Sequence, residues 1–363
     1  MKPRLTPEPT PISAELRRKF GPFVSSPARA GGFANPWEHP PLPDFSGVLR
    51  WKARANPLRP KGYRAHPLTL PAHPLADFDA LGAVRTKLFW IGHASFLLEL
   101  DGVRLVIDPI FGRAGGLVSR VTPAAAQPAE LTGLHAVLVT HGHHDHLDPA
   151  GLKQLALANL DAGGGRPGPV FIVPKGLSSA LPAVCRPVVE LAWWQHVSFG
   201  GVRVHLVPAQ HWHRRGMFDT NKGLWGGYVV EGTHRVFHSG DTGYFGGFRA
   251  IGEVFGGIDV ACLPLGAYEP TWFMASQHMS PEQSLQAFHD LGATHFVGMH
   301  WGAYDLSDEP IEAGPEWLRE AVRRQGLVPA RFHVLAPGGS LGLSGSRGAS
   351  SAVERHPFSQ RSP

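Results

Sequence analysis

The chain has 363 residues, of which 43% are hydrophobic and 17% charged, a composition typical of a globular protein with a substantial core. This length accommodates one large domain with extensions or two domains, and no apolar run reaches the roughly 18 residues of a membrane-spanning helix. The N-terminus lacks the apolar segment of a secretory signal peptide, and Cys185 and Cys262 form no CxxC pattern. We therefore expect a cytoplasmic protein with neither a disulfide scaffold nor a thiolate metal site.

The net charge of +5 is concentrated at the start of the chain, in residues 1–80, which we call the N-terminal arm. The arm carries 12 Lys/Arg against 6 Asp/Glu, and it holds 15 of the 34 prolines. This composition predicts an extended segment that wraps around the main domain and is partly ordered from about residue 30. A basic arm suits contact with an anionic membrane surface as well as a purely solvated role.

Regular structure is predicted from about residue 84, within a main domain at 81–343. Three β-strands follow one another, at residues 87–91, 95–100 and 103–107. His93 and Asp108 lie at the ends of these strands. Two roles stay open for each of them, support of a nearby site and a purely structural part in a turn.

A buried strand predicted at 136–140 is followed by four potential metal ligands within six residues. They are His141, His143, Asp145 and His146. A helix is predicted at 149–160, because Asp148 is a suitable N-cap and Pro149 a suitable first residue. Imidazoles and a carboxylate at such a strand-to-helix turn are donors that zinc and similar metals prefer. The alternative is a polar loop that happens to be rich in histidine.

The spacing His141-x-His143-x-Asp145-His146 after an apolar strand resembles the signature of the metallo-β-lactamase superfamily. The resemblance implies an α/β fold of the αββα sandwich type, with two sheets packed face to face and helices outside. It also implies one or two metal ions at the edge of the sheets. The N-terminal arm is then an extension of that fold.

Three further candidate ligands follow later strands. His211 comes after a predicted hairpin, at a place where this fold carries a ligand, and His213 is its less favoured neighbour. Asp241 stands among small residues directly after a strand, where a carboxylate that bridges two cations lowers their repulsion. His300 ends the predicted strand 294–300 and completes the set.

These candidates suit two zinc ions per chain. His141, His143 and His211 form the first donor group, and Asp145, His146 and His300 form the second donor group. Asp241 is expected between the two groups. Paired cations activate water near neutral pH and polarise an acyl or phosphoryl oxygen, so the pattern predicts hydrolysis without a nucleophilic side chain.

Longer stretches resemble the N-acyl-phosphatidylethanolamine-hydrolysing phospholipase D family within this superfamily. Between about residues 30 and 335 the matching stretches are Asn35-Pro-Trp37, Val48-Leu-Arg-Trp51, Trp90-Ile-Gly-His-Ala94, Asp108-Pro109, His141 to Asp148, Gln210-His-Trp212, Asn221 to Gly226, Gly240 to Tyr244, Gly266 to Pro270, Trp272-Phe-Met274, Gln277-His278 and His300-Trp-Gly302. The resemblance implies cleavage of a phosphodiester to N-acylethanolamine and phosphatidic acid. His144 departs from the family pattern, and the first 30 or so residues have no match.

Under this resemblance the candidate catalytic residues are Asp145, Asp241 and His278. His278 would bind phosphate or assist proton transfer, and a surface histidine beside a helix is the alternative. The expected substrate-binding residues are Gln277, His278, Trp212, Tyr268, Trp272 and Phe273, with Trp225 and Met274 as further lining residues. Aromatic packing over the site is the alternative for the aromatic members of this set.

Two other functions stay open. One is a hydrolase of a lactone, a phosphonate or a soluble phosphodiester with the same metals, and the other is a non-catalytic lipid- or metal-binding protein, against which the seven ligands argue. The expected partner is a phospholipid or another phosphodiester. Peripheral membrane contact and a homodimer stay open, and nucleic acid is not expected because the main domain lacks a basic surface. Residues 344–363, rich in Ser, Arg and Gly, are predicted to be disordered.

Overall fold

The computed structural model describes residues 3–42, 45–71, 74–82, 84–161, 168–345 and 351–355. The helices are α1 (Ala14–Phe20), α2 (Phe45–Lys52), α3 (Pro74–Asp79), α4 (Pro149–Asp161), α5 (Gly247–Phe255), α6 (Thr271–Met274), α7 (Pro281–Asp290) and α8 (Ala313–Arg324). The strands are β1 (Pro3–Pro9), β2 (Ala28–Arg29), β3 (Gly32–Phe33), β4 (Thr86–Gly92), β5 (Ser95–Leu100), β6 (Val103–Ile107), β7 (Ala136–Leu138), β8 (Val170–Pro174), β9 (Val188–Leu191), β10 (Gln195–Phe199), β11 (Val202–Val207), β12 (Gly227–Glu231), β13 (Arg235–His238), β14 (Ile258–Pro264), β15 (Ala293–Met299), β16 (Phe332–His333), β17 (Ser340–Ser344) and β18 (Ser351–Arg355).

The described residues form two eight-stranded sheets and a small two-stranded one, β2-β3. One large sheet has the order β1-β10-β11-β12-β13-β14-β15-β16, and the other has the order β18-β17-β4-β5-β6-β7-β8-β9. Both are mixed: β13 to β16 pair in parallel in the first sheet, and β6 to β9 pair in parallel in the second. The αββα sandwich that the sequence predicts is confirmed.

Strand β4 shows why both faces of a sheet are covered. All seven of its residues are buried, and successive side chains of a strand point to opposite faces. Leu88 and Trp90 lie in the core between the two sheets, whereas Phe89 and Ile91 lie in a second core on the other side. That second core is closed by the apolar face of α4, while α5 and α7 cover the first sheet. A strand without polar alternation therefore occupies the centre of a sandwich.

The N-terminal arm is ordered from Pro3, earlier than the sequence predicts. Strand β1 extends the first sheet by pairing antiparallel with β10, which would otherwise be its edge. Farther along the arm, Trp37 is buried in the core, stacked on Trp193 with ring centroids 5.5 Å apart and on Phe245 at 4.8 Å. The arm thus contributes a strand to the first sheet and an indole to the core.

The C-terminal segment differs in part from the expected disorder. Ser351–Arg355 forms β18, which pairs antiparallel with β17, because the backbone of β17 is otherwise a free sheet edge. Residues 346–350 and 356–363 lie outside the described residues, as does the glycine-rich stretch 162–167. Among the helices that the structure describes, none has the length and apolar composition needed to cross a bilayer.

The burial of Trp37 generates a prediction about the arm. Trp37→Ala would leave a cavity beside Trp193 and Phe245, so we expect a loss of about 3–5 kcal/mol in the free energy of unfolding. Urea denaturation followed by circular dichroism measures this loss. Trp272→Ala is the matched control, since Trp272 is largely at the surface and its removal should change the midpoint far less. Equal midpoints for Trp37→Ala and the wild type would contradict the packing of the arm.

Candidate metal centre

The seven predicted ligands lie on loops that leave the two sheets at one edge. In the second sheet, β6 and β7 are parallel, and the loops after them carry Asp108 and the residues from His141 to His146. In the first sheet, β11 and β13 are both antiparallel to β12 and therefore run the same way. The loops after them carry His211 and Asp241, and His300 follows β15. Because the carboxyl ends of these strands meet, residues far apart in sequence converge.

The first donor group consists of His141, His143 and His211. The Nδ1 atom of His143 lies 3.1 Å from His141 Nε2 and 3.0 Å from His211 Nε2. A single imidazole nitrogen offers either one proton or one lone pair, so these three atoms cannot all be satisfied by hydrogen bonds to one another. A cation between the three nitrogens satisfies all of them.

The second donor group brings Asp145, His146 and His300 together. His146 Nε2 lies 3.4 Å from His300 Nε2, and Asp145 Oδ2 is 3.7 Å from each of these nitrogens. Asp241 lies between the groups: its Oδ1 is 3.1 Å from the Nε2 atoms of His146 and His300, and its Oδ2 is 3.9 Å from His141 Nε2. One carboxylate thus faces both donor groups.

The donor atoms fit divalent metal ions. Asp241 Oδ1 is buried without a well-oriented hydrogen bond, and a buried carboxylate oxygen needs a positive partner. The set combines imidazole nitrogens with carboxylate oxygens and contains no thiolate, which suits zinc and other first-row divalent metals. The structure also adds His93 to the second group, since its ligand atom lies within 4.8 Å of those of the three others.

Asp108 and His93, whose roles the sequence left open, support the ligands. The Oδ2 atom of Asp108 lies 2.7 Å from His146 Nδ1, and Asp108 also accepts hydrogen bonds from the backbone N–H and the hydroxyl of Thr140. These contacts keep the Nε2 atom of His146 free for the centre. His93 Nε2 lies 3.1 Å from Asp145 Oδ2 and holds that carboxylate in place.

Three supporting residues were given no role by the sequence, although two of them lie in the matching stretch Asn35-Pro-Trp37. Arg215 donates to the carbonyl oxygens of Gly142 at 2.6 Å and Leu147 at 3.0 Å, so it fixes both ends of the loop that carries the histidine motif. From the arm, Asn35 donates to the carbonyl of His211 at 3.1 Å, and Trp37 donates to the Gln210 side chain. Each contact spans more than 60 positions, and no local pattern marks it.

Burial and charge set the protonation of the ligands. Burial lowers the pKa of all three imidazoles of the first donor group, which keeps them neutral, as metal ligands must be. Burial also disfavours the charged form of His300, but the carboxylates of Asp241 and Asp145 outweigh it and raise the pKa of His300 to about 9. The pKa of His146 is raised in the same way, against its burial, by Asp241, Asp145 and Asp108.

Gln277, His278 and Trp212 lie beside the centre. His278 Nδ1 is 3.8 Å from Asp241 Oδ2, and burial lowers the pKa of this imidazole to about 4. The carbonyl of Gln277 lies 3.1 Å from His211 Nδ1, and its side-chain oxygen accepts the indole N–H of Trp212. Together with Tyr268, His278 also lines an adjoining cavity of about 470 Å³.

The other predicted lining residues have different surroundings. Phe273 is buried and packs on Trp51 at a ring distance of 4.9 Å, while Trp272 lies at the surface. The prediction that Trp225 lines a groove is wrong. Trp225 lies in the core between the sheets, where its indole N–H donates to a backbone carbonyl. Met274 is also buried.

The comparisons with known proteins agree with this geometry. A family model described as a beta-lactamase superfamily domain matches residues 103–301. The chain is 32% identical over 279 residues to N-acyl-phosphatidylethanolamine-hydrolyzing phospholipase D 1 of Caenorhabditis elegans, covering 72% of this chain and 76% of that protein. It is 35% identical over 235 residues to a mitochondrial protein of the same description in Saccharomyces cerevisiae, covering 61% of this chain and 48% of that one.

A solved structure has the same fold. It is that of a metallo hydrolase from the archaeon Ignicoccus hospitalis, which superposes with a TM-score of 0.52 at 24% identity and covers 75% of this chain and 98% of that one.

The raised pKa of His300 predicts that metal binding displaces protons. With a pKa of about 9, His300 is protonated at pH 7 and must lose its proton to become a ligand. We expect Zn²⁺ binding at pH 7 to release about one to two protons per chain, and the affinity to fall as pH is lowered from 9 to 6. Calorimetry in two buffers of different ionisation enthalpy measures the release. A binding heat that is identical in both buffers would contradict it.

Proposed function

Because the chain belongs to the metallo-β-lactamase superfamily and resembles its N-acyl-phosphatidylethanolamine-hydrolysing phospholipase D family, we propose that this metal-dependent hydrolase is a binuclear zinc phosphodiesterase. Its proposed substrate is N-acyl-phosphatidylethanolamine, which is cleaved to N-acylethanolamine and phosphatidic acid. The observation that carries the proposal is the position of Asp241, with one carboxylate oxygen toward each donor group. That arrangement suits a pair of cations better than a single one.

The proposed assignment of ligands follows the two donor groups, with Asp241 shared between them. Two zinc ions held there would supply Lewis acidity that activates water near neutral pH and polarises the phosphoryl oxygen. Asp108 and His93 would keep His146 and Asp145 turned toward the centre during turnover. Hydrolysis breaks the P–O bond on the ethanolamide side, and the proton lost by the attacking water balances the proton gained by the leaving alkoxide.

Gln277 and His278 are the proposed phosphate-binding residues. Since the side-chain oxygen of Gln277 accepts the Trp212 indole N–H, its amide NH₂ group is left as a hydrogen-bond donor. The imidazole of His278 is neutral at pH 7, with a pKa of about 4, so it offers one N–H and one lone pair beside Asp241. A neutral imidazole in this position is suited to hold a phosphoryl oxygen and to relay the proton toward the leaving group.

A second candidate keeps the centre and changes the substrate. The cavity beside His278 is lined by Glu269 and Glu282 as well as by Tyr268 and Trp317. Carboxylates in that lining favour a small polar ligand over a long acyl chain. A soluble phosphodiester or a lactone is therefore the alternative substrate.

The remaining parts of the proposal concern partner and location. We propose a phospholipid or another phosphodiester as the partner. The thiols of Cys185 and Cys262 are both free and buried, which supports the proposed cytoplasmic location. The boundary between the arm and the main domain near residue 80 stays a prediction. Residues of both parts belong to one hydrophobic core, so the core does not mark this boundary.

His278 provides the test of this proposal. We expect the protein loaded with zinc to release N-acylethanolamine from N-acyl-phosphatidylethanolamine in mixed micelles. His278→Ala should lower kcat by about 100-fold and leave the metal content unchanged, because the proposal gives His278 a role on the substrate. The metal content is the sharper readout, since the donor atom of His278 lies within 4.8 Å of those of Asp241 and His300. Mass spectrometry of the products and elemental analysis of the protein measure the two effects.

His213→Ala is the matched control, because His213 is a buried histidine two positions from His211 that none of the metal-ligand clusters includes. Its turnover should stay close to that of the wild type. Hydrolysis of bis(p-nitrophenyl) phosphate without release of N-acylethanolamine would retain the hydrolase and reject the lipid substrate. Loss of metal in His278→Ala would reject the role given to this residue.

A further inference from the structure

Among the residues that the structure describes, seven of the eleven exposed large apolar side chains lie on four short segments, at 45–54, 112–118, 212–219 and 271–273. Leu117, Met217 and Phe218 are 81%, 78% and 83% exposed, and Leu49 and Trp272 also lie at the surface. Single exposed apolar residues are common on proteins, but several on neighbouring loops form a patch that marks an interaction site. We call these five residues the apolar rim.

The loop at 212–219 is held rigidly against the centre. It begins directly after the ligand His211, and Arg215 joins it to the carbonyls of Gly142 and Leu147 on the histidine motif. Asp219 accepts hydrogen bonds from the backbone N–H groups of residues 215 and 216, which closes the loop on itself. Its tip therefore presents Met217 and Phe218 to solvent from a fixed base next to the metal ligands.

The loop at 112–118 approaches the same motif from another side. A Cβ atom built on Gly115 would lie 3.2 Å from the ring of His144, so the backbone of this loop lies close to the His144 side chain. His144 is exposed, and it marks the point where the histidine motif reaches solvent. Leu117 is thus carried at the rim of the centre.

The third part of the rim joins the N-terminal arm to the substrate-binding segment. Trp51 of α2 packs on Phe273 and donates its indole N–H to Asp308, which docks α2 beside α6. The guanidinium of Arg50, the residue after Leu49, lies 4.9 Å from the Trp272 ring, so Leu49 and Trp272 lie on adjoining segments. Gln277 follows only a few residues later, so this part of the rim also borders the centre.

Cations outnumber anions beside the rim. The guanidinium groups of Arg50 and Arg54 lie 4.9 Å and 5.6 Å from the Trp272 ring. The segments that carry the rim, residues 45–54, 112–118, 212–219 and 271–273, contain six Arg/Lys and one carboxylate, that of Asp219. Apolar tips flanked by cations match the interface of a bilayer that carries anionic headgroups.

We propose that the apolar rim docks the protein on an anionic phospholipid surface with the metal centre facing the headgroups. Phe218, Met217 and Leu117 would enter the boundary between headgroups and acyl chains, while Arg50 and Arg54 pair with lipid phosphates. The biological purpose of this docking rests on the proposed function, because a phospholipid substrate is reached only at a membrane surface. The binding itself is measured without turnover.

The test is sedimentation of the full zinc-loaded chain with vesicles that contain no N-acyl lipid. On phosphatidylcholine vesicles with about one third phosphatidylglycerol, the wild type binds, and Met217→Ser combined with Phe218→Ser weakens binding about tenfold or more. Val328→Ser is the matched control, since Val328 is an exposed apolar residue outside the rim, and its binding equals that of the wild type. Hydrolysis of bis(p-nitrophenyl) phosphate stays unchanged in both variants, which shows that the centre is intact.

The charge of the lipid supplies a second comparison. Arg50→Gln with Arg54→Gln should weaken binding to the anionic vesicles about tenfold and leave the weaker binding to pure phosphatidylcholine nearly unchanged. Equal binding of the wild type to both vesicles would overturn the anionic preference.

Several outcomes would overturn the docking, and one would retain the docking while rejecting the proposed substrate. If the wild type does not sediment with anionic vesicles, or if the Met217 and Phe218 variant binds as well as the wild type, the rim is not a membrane surface. A rim that instead holds two copies together would give a dimer that the same variant dissociates, without vesicle binding. Vesicle binding with no release of N-acylethanolamine would retain the docking and reject the proposed substrate.

Discussion

The carboxylate of Asp241 is buried between two groups of imidazoles, and such a charge is stable inside a protein only with compensating cations. The second donor group adds a further carboxylate, Asp145, whose pKa is lowered well below its usual range by His146 and other neighbours despite its burial. The fold brings these charges together at one edge of two sheets. Much of the surrounding structure positions the candidate ligands at this edge. The proposed hydrolysis depends on the metal ions that these ligands would bind.

The support of the centre reaches far into the chain. Asp108 orients His146, His93 holds Asp145, and Arg215 ties down the loop between them. Even the N-terminal arm contributes, because Asn35 bonds the backbone of His211 and Trp37 is built into the core. The arm is therefore part of the support of the candidate metal centre, and it also carries the cations Arg50 and Arg54 of the proposed rim.

Local patterns singled out the histidine motif, and the superfamily that this motif resembles implied the sandwich and the later ligands. The residues from His141 to His146 are adjacent in sequence, and they follow an apolar strand whose direction fixes where they point. His211, Asp241 and His300 could be found because each comes within a few residues of a strand end, at places where the resembled fold carries ligands, and the structure brings them to the same edge. Contacts between residues far apart in the sequence could not be predicted. The sequence around Arg215 is that of any surface arginine, and the burial of Trp225 depends on strands elsewhere in the chain. The order of β1 was missed because proline-rich segments pair at the edges of sheets without a recognisable pattern.

The metal content of Asp241→Asn tests the central claim most directly. Asparagine keeps the shape of the side chain and removes the charge that faces both donor groups. By elemental analysis we expect about two zinc equivalents in the wild type and at most about one in the variant, with an unchanged circular dichroism spectrum. Asp290→Asn, a change outside the centre, should retain both. A full complement of two metals in Asp241→Asn would contradict a shared centre organised by this carboxylate.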